Sequence, residues 1–265
     1  MMAAHGTTVL MYHRVGEARN VWEARYAIGA GAFRAHMEAL EQAGLHAVPA
    51  DALCAALDNG PALPDEAFVI TFDDGFRGVR DHALPVLERR NWPFTVFLVS
   101  SLVGRDDVWT RASNPDRRTY PLLDGDEIAD MQRRGVSFQS HTCSHASLPT
   151  LPDDELKREL VGSRSALESL LNREVSYLAY PFGHVDGRVV AAARRAGYRA
   201  AFSTQPGFNR RDVDRFHIRR IDVYGTDTPA MLLRKIRFGT NDGRASTVVR
   251  YYAGRARARL LPRAR

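Results

Sequence analysis

Cysteine and lysine are scarce in this chain, and long apolar runs are missing. The two cysteines, Cys54 and Cys143, are too few for the disulfide framework of a small secreted domain. Lys157 and Lys235 are the only lysines, so arginine supplies nearly all of the 37 basic residues. No stretch approaches the roughly 20 apolar residues of a membrane-spanning helix. These absences exclude a disulfide-stapled scaffold and predict no transmembrane segment.

The two ends of the sequence bear on where the protein is expected in the cell. The opening segment MMAAHGTTVLMYHRV has no basic n-region, and Tyr12, His13 and Arg14 interrupt its apolar run. We therefore expect no signal peptide and a cytoplasmic location, which includes the inner face of the membrane. Seven arginines and no acidic residue lie between Arg244 and Arg265. This basic tail predicts weak contact with anionic membrane and no specific nucleic acid partner; a solvated, frayed terminus is the alternative.

The chain has the composition of one soluble globular domain. Of its 265 residues, 45% are hydrophobic and 26% are charged. Apolar runs of strand character alternate with segments of helical spacing, which predicts an α/β fold with a largely parallel sheet. Polar motifs follow four separate strands, and this favours a single (β/α) barrel because barrel sites form where the strands end. We expect one domain over residues 1–240 and the basic tail over 241–265. Strands are predicted at 8–12, 67–72, 94–99, 136–139, 175–180, 200–203 and 216–223.

Two aspartates end the clearest buried strand. Asp73 and Asp74 follow the apolar run 67–72, and Gly75 lets the chain turn sharply after them. Successive residues of a strand point in opposite directions, so the two carboxylates should face different partners. One can bind a cation while the other faces a water molecule. A solvated cap between strand and helix is the alternative, and for an isolated Asp-Asp-Gly it is the better explanation.

The segment His141-Thr142-Cys143-Ser144-His145 changes that balance. Two histidines four positions apart lie on one face of a helical turn and can bind the same metal ion. With one aspartate they form a set of three ligands that leaves positions open for water and substrate. Such an ion lowers the pKa of a bound water and polarises a carbonyl oxygen, and the remaining aspartate can act as general base.

A third motif, Tyr180-Pro181-Phe182-Gly183, also follows a predicted strand. Proline fixes the turn, and a backbone N–H just after it can face a developing oxyanion. An ordinary Pro-Gly turn is the alternative, and it suffices for the tetrapeptide in isolation.

The segments ITFDDGF, SHTCSH and AYPFG, in this order and spacing, resemble the polysaccharide deacetylases of the NodB-homology type, carbohydrate esterase family 4. The segments LMYHRV and WPFTVFLV are similar to the bacterial branch that contains the poly-N-acetylglucosamine and exopolysaccharide-cluster deacetylases. The resemblance covers residues 8–223. It implies a metal-dependent hydrolase with a distorted (β/α) barrel that removes acetyl groups from N-acetylated carbohydrates.

The resemblance also implies roles for individual residues. Asp73 matches the general base, whereas Asp74, His141 and His145 match the metal ligands. Phe182 matches the position whose backbone N–H binds the oxyanion. Zinc is the usual ion, and cobalt or another divalent ion can replace it.

Two positions depart from the family pattern. Ala179 stands where many members have an arginine that orients the catalytic aspartate, and Arg219 or Arg220 is expected to replace it. The usual Leu-x-His motif of the general acid is also missing. His217 is the nearest candidate for that acid, and His184, directly after the third motif, is the alternative.

Four further residues are candidates for contact with the substrate: Trp109, His13, Tyr180 and Pro181. Trp109 can stack on a sugar ring from its long polar loop, or it can anchor that loop. His13 can line the rim beside the metal, or it can be a structural histidine. Two rival functions remain open at this level: a barrel that binds glycans without turnover, and a deacylase acting on O-acetyl or formyl groups.

Overall fold

The computed structural model describes residues 6–246, and its centre is a parallel sheet of eight strands. Seven strands follow one another across the sheet: β10 (Ile221–Asp222), β1 (Thr8–Tyr12), β5 (Ala67–Phe72), β6 (Thr95–Leu98), β7 (Ser137–Ser140), β8 (Tyr177–Ala179) and β9 (Ala200–Phe202). The eighth strand, β4 (His46–Ala47), pairs with the beginning of β5. A separate parallel pair joins β2 (Arg14–Val15) to β3 (Ala27–Ile28).

The sheet curls into a barrel, and the segment between β9 and β10 closes the last gap. Ile218 forms a parallel bridge with Phe202 of β9, while β10 pairs with β1 on its other side. The backbone N–H of Ser203 donates to the carbonyl oxygen of Ile218 at 2.8 Å. Among the described residues a single bridge takes the place of a full ladder here, so the barrel is distorted. The single-domain (β/α) barrel predicted from the sequence is therefore confirmed.

Helices follow the strands and pack apolar side chains against the sheet to form the main core. A π-helical turn, Val79–Ala83, leads into the helix that begins at Leu84, and a second π-helical turn, Arg158–Gly162, joins the helix ending at Lys157 to the one beginning at Ser163. The helices are α1 (Ala30–Gln42), α2 (Ala50–Leu57), α3 (Leu84–Glu88), α4 (Gly125–Arg133), α5 (Asp153–Lys157), α6 (Ser163–Leu171), α7 (Gly187–Arg195) and α8 (Pro229–Phe238).

One predicted element is wrong over part of its length. The sequence predicted a strand over 216–223, but Arg215–His217 forms a 3-10 turn, and only Ile221–Asp222 pairs as a strand. The carboxylate of Asp214 caps this turn by accepting the N–H of Phe216 at 2.9 Å, which favours the turn over an extended chain. The strands β2, β3 and β4 were not predicted, because two residues are too few to show a periodicity.

Within residues 6–246, no helix combines the length and the apolar character that a membrane crossing requires. The predicted basic tail, 241–265, falls outside the described residues from position 247 onward.

Candidate active site

The three sequence motifs meet at the carboxyl end of the barrel. Asp73 and Asp74 follow β5, His141 follows β7, and Tyr180 follows β8. His13 follows β1, which lies beside β5 in the sheet. Because parallel strands end on the same side of the sheet, residues far apart in sequence line one cavity of about 360 Å³.

Asp74, His141 and His145 form a set of three donors that could hold a metal ion. Their ligand atoms lie within 4.8 Å of one another, and all three residues are buried. The Nε2 atoms of His145 and His141 lie 3.3 Å and 3.5 Å from Oδ1 of Asp74. That buried oxygen accepts no hydrogen bond from the described residues, which fits a ligand atom better than a structural carboxylate. The donor set thus fits a divalent ion with open positions.

His141 is held as a neutral ligand by the end of β8. Its Nδ1 lies 2.8 Å from the carbonyl oxygen of Ala179. A carbonyl oxygen can only accept, so Nδ1 carries the proton and the lone pair of Nε2 points to Asp74. Burial lowers the pKa of His141 to about 4, although Asp73 and Asp74 act in the opposite direction. His141 is therefore uncharged at neutral pH, as a metal ligand must be.

The turn that carries His145 is not the helical turn predicted from the sequence. Residues 141–145 form a loop in which Thr142 and His145 have positive φ angles, 69° and 63°. Glu159, in the π-helical turn, accepts the N–H groups of Cys143 and Ser144 at 2.9 Å each. This carboxylate holds the loop so that the two histidines face Asp74 without helical geometry.

The backbone separates the two adjacent aspartates. Asp74 has a φ of 75° and Gly75 a φ of 83°, so the chain leaves the strand direction directly after Asp73. A Cβ atom on Gly75 would lie 2.6 Å from the side chain of Leu98, so only glycine fits at this turn. The two carboxylates therefore face different partners, and the turn at Asp74, not strand alternation, is the reason.

Asp73 is bound by Arg220 and not by the metal ligands. Nη1 and Nη2 of Arg220 donate to the two carboxylate oxygens at 2.6 Å and 2.8 Å, and Nε of Arg220 donates to the carbonyl of Ser203 at 2.9 Å. Burial by itself would raise the pKa of Asp73, but the charge and hydrogen bonds of Arg220, together with the smaller effects of the nearby imidazoles, outweigh it and bring the pKa down to about 2. Asp73 is thus a fixed, ionised acceptor. Of the two arginines that the sequence offered to orient Asp73, Arg220 makes this contact and Arg219 is exposed.

Asp74 is also ionised at neutral pH. Burial again acts to raise its pKa, but the nearby imidazoles of His145, His13 and His141 outweigh it, and the pKa is lowered. Arg220 balances the charge of Asp73, so the negative charge of Asp74 is the one that a divalent cation would balance.

The structure places the four predicted substrate-contact residues differently from one another. His13 and Tyr180 line the cavity, although the hydroxyl of Tyr180 donates to the carbonyl of Phe216. Pro181 is buried and is not among the lining residues. Trp109 lines the cavity, and one face of its indole stacks on the ring of His145.

The two predicted proton donors do not reach the cavity. His217 lies before Ile218, at the amino end of the closing segment, and its ring pairs with Asp214 at 3.3 Å. His184 is exposed, and its Nδ1 lies 3.0 Å from Oγ of Ser147. Neither is a lining residue, whereas His13 is. The assignment of His217 as general acid is thus not supported by its position, because its ring pairs with Asp214 and does not line the cavity.

A buried network that the sequence did not reveal forms another wall of the cavity. Glu23 accepts hydrogen bonds from Arg14 at 3.0 Å, Asn114 at 3.0 Å and the hydroxyl of Tyr120 at 2.7 Å. The guanidinium of Arg14 also lies 3.6 Å from the centre of the Tyr120 ring. The network joins the loop after β2 to the long loop after β6. The residues of this network are far apart in the sequence, so no local sequence pattern predicts the network.

Comparison with known proteins gives the family of the chain. Residues 61–201, more than half of the chain, match the family model described as polysaccharide deacetylase. YxkH of Bacillus subtilis (strain 168) is 23% identical over 215 residues, which cover 81% of this chain and 70% of YxkH. The poly-beta-1,6-N-acetyl-D-glucosamine N-deacetylase of Staphylococcus epidermidis is 25% identical over 173 residues, 61% of this chain. The match spans 56% of that relative's own length.

Solved structures share the fold. IcaB from Ammonifex degensii superposes with a TM-score of 0.70 and 26% identity, and the match covers 83% of this chain and 92% of that one. The Streptococcus pyogenes deacetylase PplD, solved with acetate, gives a TM-score of 0.74 at 21% identity, covering 87% and 97% of the two chains. The chain therefore belongs to the polysaccharide deacetylase family of hydrolases, as its three ordered motifs predicted.

Proposed function

We propose that this chain is a metal-dependent N-deacetylase that hydrolyses the acetamide of amino sugars within a glycan. One observation carries the proposal: two adjacent aspartates are both ionised but serve different partners. Asp74 faces His141 and His145, whereas Asp73 lies beside them and is ion-paired with Arg220. Metal-assisted hydrolysis of an amide uses a Lewis acid and a separate base, and this division supplies both.

Asp74, His141 and His145 would hold the ion, and zinc suits their two nitrogen donors and one oxygen donor. Cobalt or another divalent ion would fit the same donors. When bound, the ion polarises the acetamide carbonyl and acidifies a water molecule.

Asp73 takes the proton from the attacking water. Its Oδ2 lies 3.9 Å from Nε2 of His141, so it borders the donor set without belonging to it. Arg220 keeps the carboxylate ionised and fixes its orientation during the reaction. The backbone N–H of Phe182 binds the oxyanion, in keeping with the position of its ring, 4.6 Å from the ring of His145.

His13 replaces His217 in this proposal as the group that protonates the leaving amine. It lines the same cavity as Asp73 and Asp74. Its ring packs edge-on against Tyr26 at 5.5 Å, which holds it at the rim. The aromatic side chains of Trp22, Tyr26 and Tyr224 line the same cavity and suit the faces of sugar rings.

The test measures acetate released from N-acetylglucosamine oligomers by the zinc-loaded protein. Activity should disappear on chelation and return when zinc or cobalt is added. Asp74→Asn should lose the metal, whereas Asp73→Asn should keep it and lose the activity. O-acetylated and N-formylated sugars, assayed in parallel, identify the preferred acyl group. Glycan binding without acetate release under any metal would refute the proposal in favour of a non-catalytic barrel.

A further inference from the structure

The two histidines of the donor set are oriented by different means. Nδ1 of His141 donates to the carbonyl oxygen of Ala179, which is the usual support for a metal-binding imidazole. Nδ1 of His145 is buried and has no hydrogen-bond partner among residues 6–246. His145 also has a positive φ of 63°, so it lies outside regular helix or strand geometry. Its rotamer is therefore not set by the backbone preferences of a helix or a strand. Another contact must therefore fix its ring.

Two aromatic side chains enclose the ring of His145. The indole of Trp109 stacks on one face, with 4.5 Å between the ring centres and 17° between the planes. The ring of Phe182 meets it edge-on, at 4.6 Å and 78°. Both distances lie in the range where aromatic rings attract one another. Trp109 therefore covers one face of the imidazole and restricts rotation of the ring.

The indole is itself fixed by a turn built on a buried carboxylate. Trp109 lies in the 3-10 turn Val108–Thr110. Oδ2 of Asp107 accepts the hydroxyl of Thr110 at 2.8 Å, and Oδ1 accepts the backbone N–H of Tyr120. Asp107 is 1% exposed, so these contacts hold the turn from inside the protein. The stack on His145 is thus part of a rigid arrangement and not a chance contact of a mobile side chain.

We propose that Trp109 is a positioning residue for the metal ligand His145. The inference rests on the metal site of the proposed function. Trp109 acts in two ways. Its flat face restricts the imidazole to the orientation in which Nε2 points to Asp74. An imidazole that donates its lone pair to a cation also becomes electron-poor, and the electron-rich face of indole attracts such a ring more strongly than a neutral one. The stack therefore favours the metal-bound form.

This role differs from the sugar-stacking role predicted for Trp109 from the sequence. A residue that only contacts the sugar changes the Michaelis constant and leaves the affinity for metal intact. A residue that positions His145 changes the affinity for metal in the absence of any sugar. The two roles can therefore be separated by a measurement on the protein without substrate.

The experiment measures zinc affinity by competition with a chromogenic chelator, and the visible absorption bands of the cobalt-loaded protein. Trp109→Leu keeps an apolar side chain but removes the aromatic face, and we expect its zinc affinity to fall about tenfold or more, the usual effect of losing an outer contact to a metal ligand. Trp109→Phe retains a stacking face and should restore most of the affinity. Its cobalt spectrum should resemble that of the wild type, whereas the bands of Trp109→Leu should shift.

Trp22→Ala is the matched control. Trp22 also lines the cavity, but its ring contact is with Tyr26 and not with a metal ligand, so zinc affinity should not change. Circular dichroism of the metal-free proteins checks the fold, and Trp109→Ala provides a second variant should the leucine variant not fold. Wild-type zinc affinity in both Trp109→Leu and Trp109→Ala would overturn the inference and leave the proposed function standing. A wild type that binds no divalent ion would overturn the proposed function itself.

Discussion

Arg220 donates two hydrogen bonds to the carboxylate of Asp73, although the two residues are 147 positions apart in the sequence. Their side chains are 0% and 3% exposed, so solvent cannot replace either partner. The ion pair links the closing segment of the barrel to the end of β5. It therefore joins barrel closure to the orientation of the proposed base.

Replacing Arg220 with glutamine should damage both stability and activity. The variant leaves the Asp73 carboxylate buried without its counter-charge, which typically costs about 3–5 kcal/mol of unfolding free energy. Without Arg220, burial would raise the pKa of Asp73 from about 2, so the base would become protonated at a higher pH. We expect the acidic limb of the pH–activity profile to move to higher pH.

Arg219→Gln is the matched control, because Arg219 is the exposed neighbour of Arg220. Denaturant unfolding and acetate release between pH 4 and pH 8 measure both effects. Equal stability and equal pH profiles for the two variants would refute the assigned role of Arg220.

His13→Gln should reduce the turnover number without weakening metal binding. Loss of a general acid typically lowers the rate by about 10²–10⁴-fold, and glutamine cannot supply a titratable proton. His217→Gln should leave turnover within about twofold of the wild type, since the partly exposed ring of His217 does not line the cavity. The measurement is acetate release at saturating substrate with zinc content determined in parallel. A larger loss for His217→Gln than for His13→Gln would return the proton donor to the sequence-based assignment.

The assignments of Arg220 and of the proton donor show what local sequence information can decide. The four residues Asp73, Asp74, His141 and His145 were found from the sequence because each pair is contiguous or closely spaced. Barrel topology then brings the two pairs together, since both follow parallel strands.

The choice between Arg219 and Arg220 needed the register of the closing segment. Adjacent residues of an extended chain point to opposite sides, and only the position of the Ile218 bridge decides which arginine is buried. The strand predicted over 216–223, which includes His217, was wrong in part for a related reason. The apolar pattern of 216–223 suggested a continuous strand, whereas Asp214 caps a turn at its start.

Glu159→Ala should loosen the loop that carries His145. The substitution removes acceptors for the N–H groups of Cys143 and Ser144 and for the Ser144 hydroxyl, which lies 2.6 Å from Oε1. We expect a loss of about 1–2 kcal/mol in unfolding free energy and a zinc affinity about tenfold lower. Glu159→Gln keeps an acceptor oxygen and should be close to the wild type. Glu155→Ala, which removes an exposed partner of Arg158, controls for helix changes, and an effect of equal size there would contradict the prediction.

Asp107→Asn should change how stability depends on pH. Burial raises the pKa of Asp107 to about 6, above its ordinary value of 3.8. Between these two values the unfolded chain releases the proton while the folded protein keeps it, so the wild type loses stability as the pH rises from about 4 to about 6. Two pKa units correspond to about 3 kcal/mol, and solvent screening at the cavity edge reduces this to about 2 kcal/mol.

The asparagine variant cannot ionise, so it does not undergo this loss. Groups that titrate in both proteins cancel when the two unfolding free energies are subtracted. Between pH 4 and pH 7, the unfolding free energy of the variant should therefore rise by about 2 kcal/mol relative to that of the wild type. Denaturant unfolding of the metal-free proteins at several pH values measures the difference. A difference that stays constant over this range would mean that the Asp107 carboxyl does not keep its proton in the folded protein, and that the turn holding Trp109 is built on an ionised group.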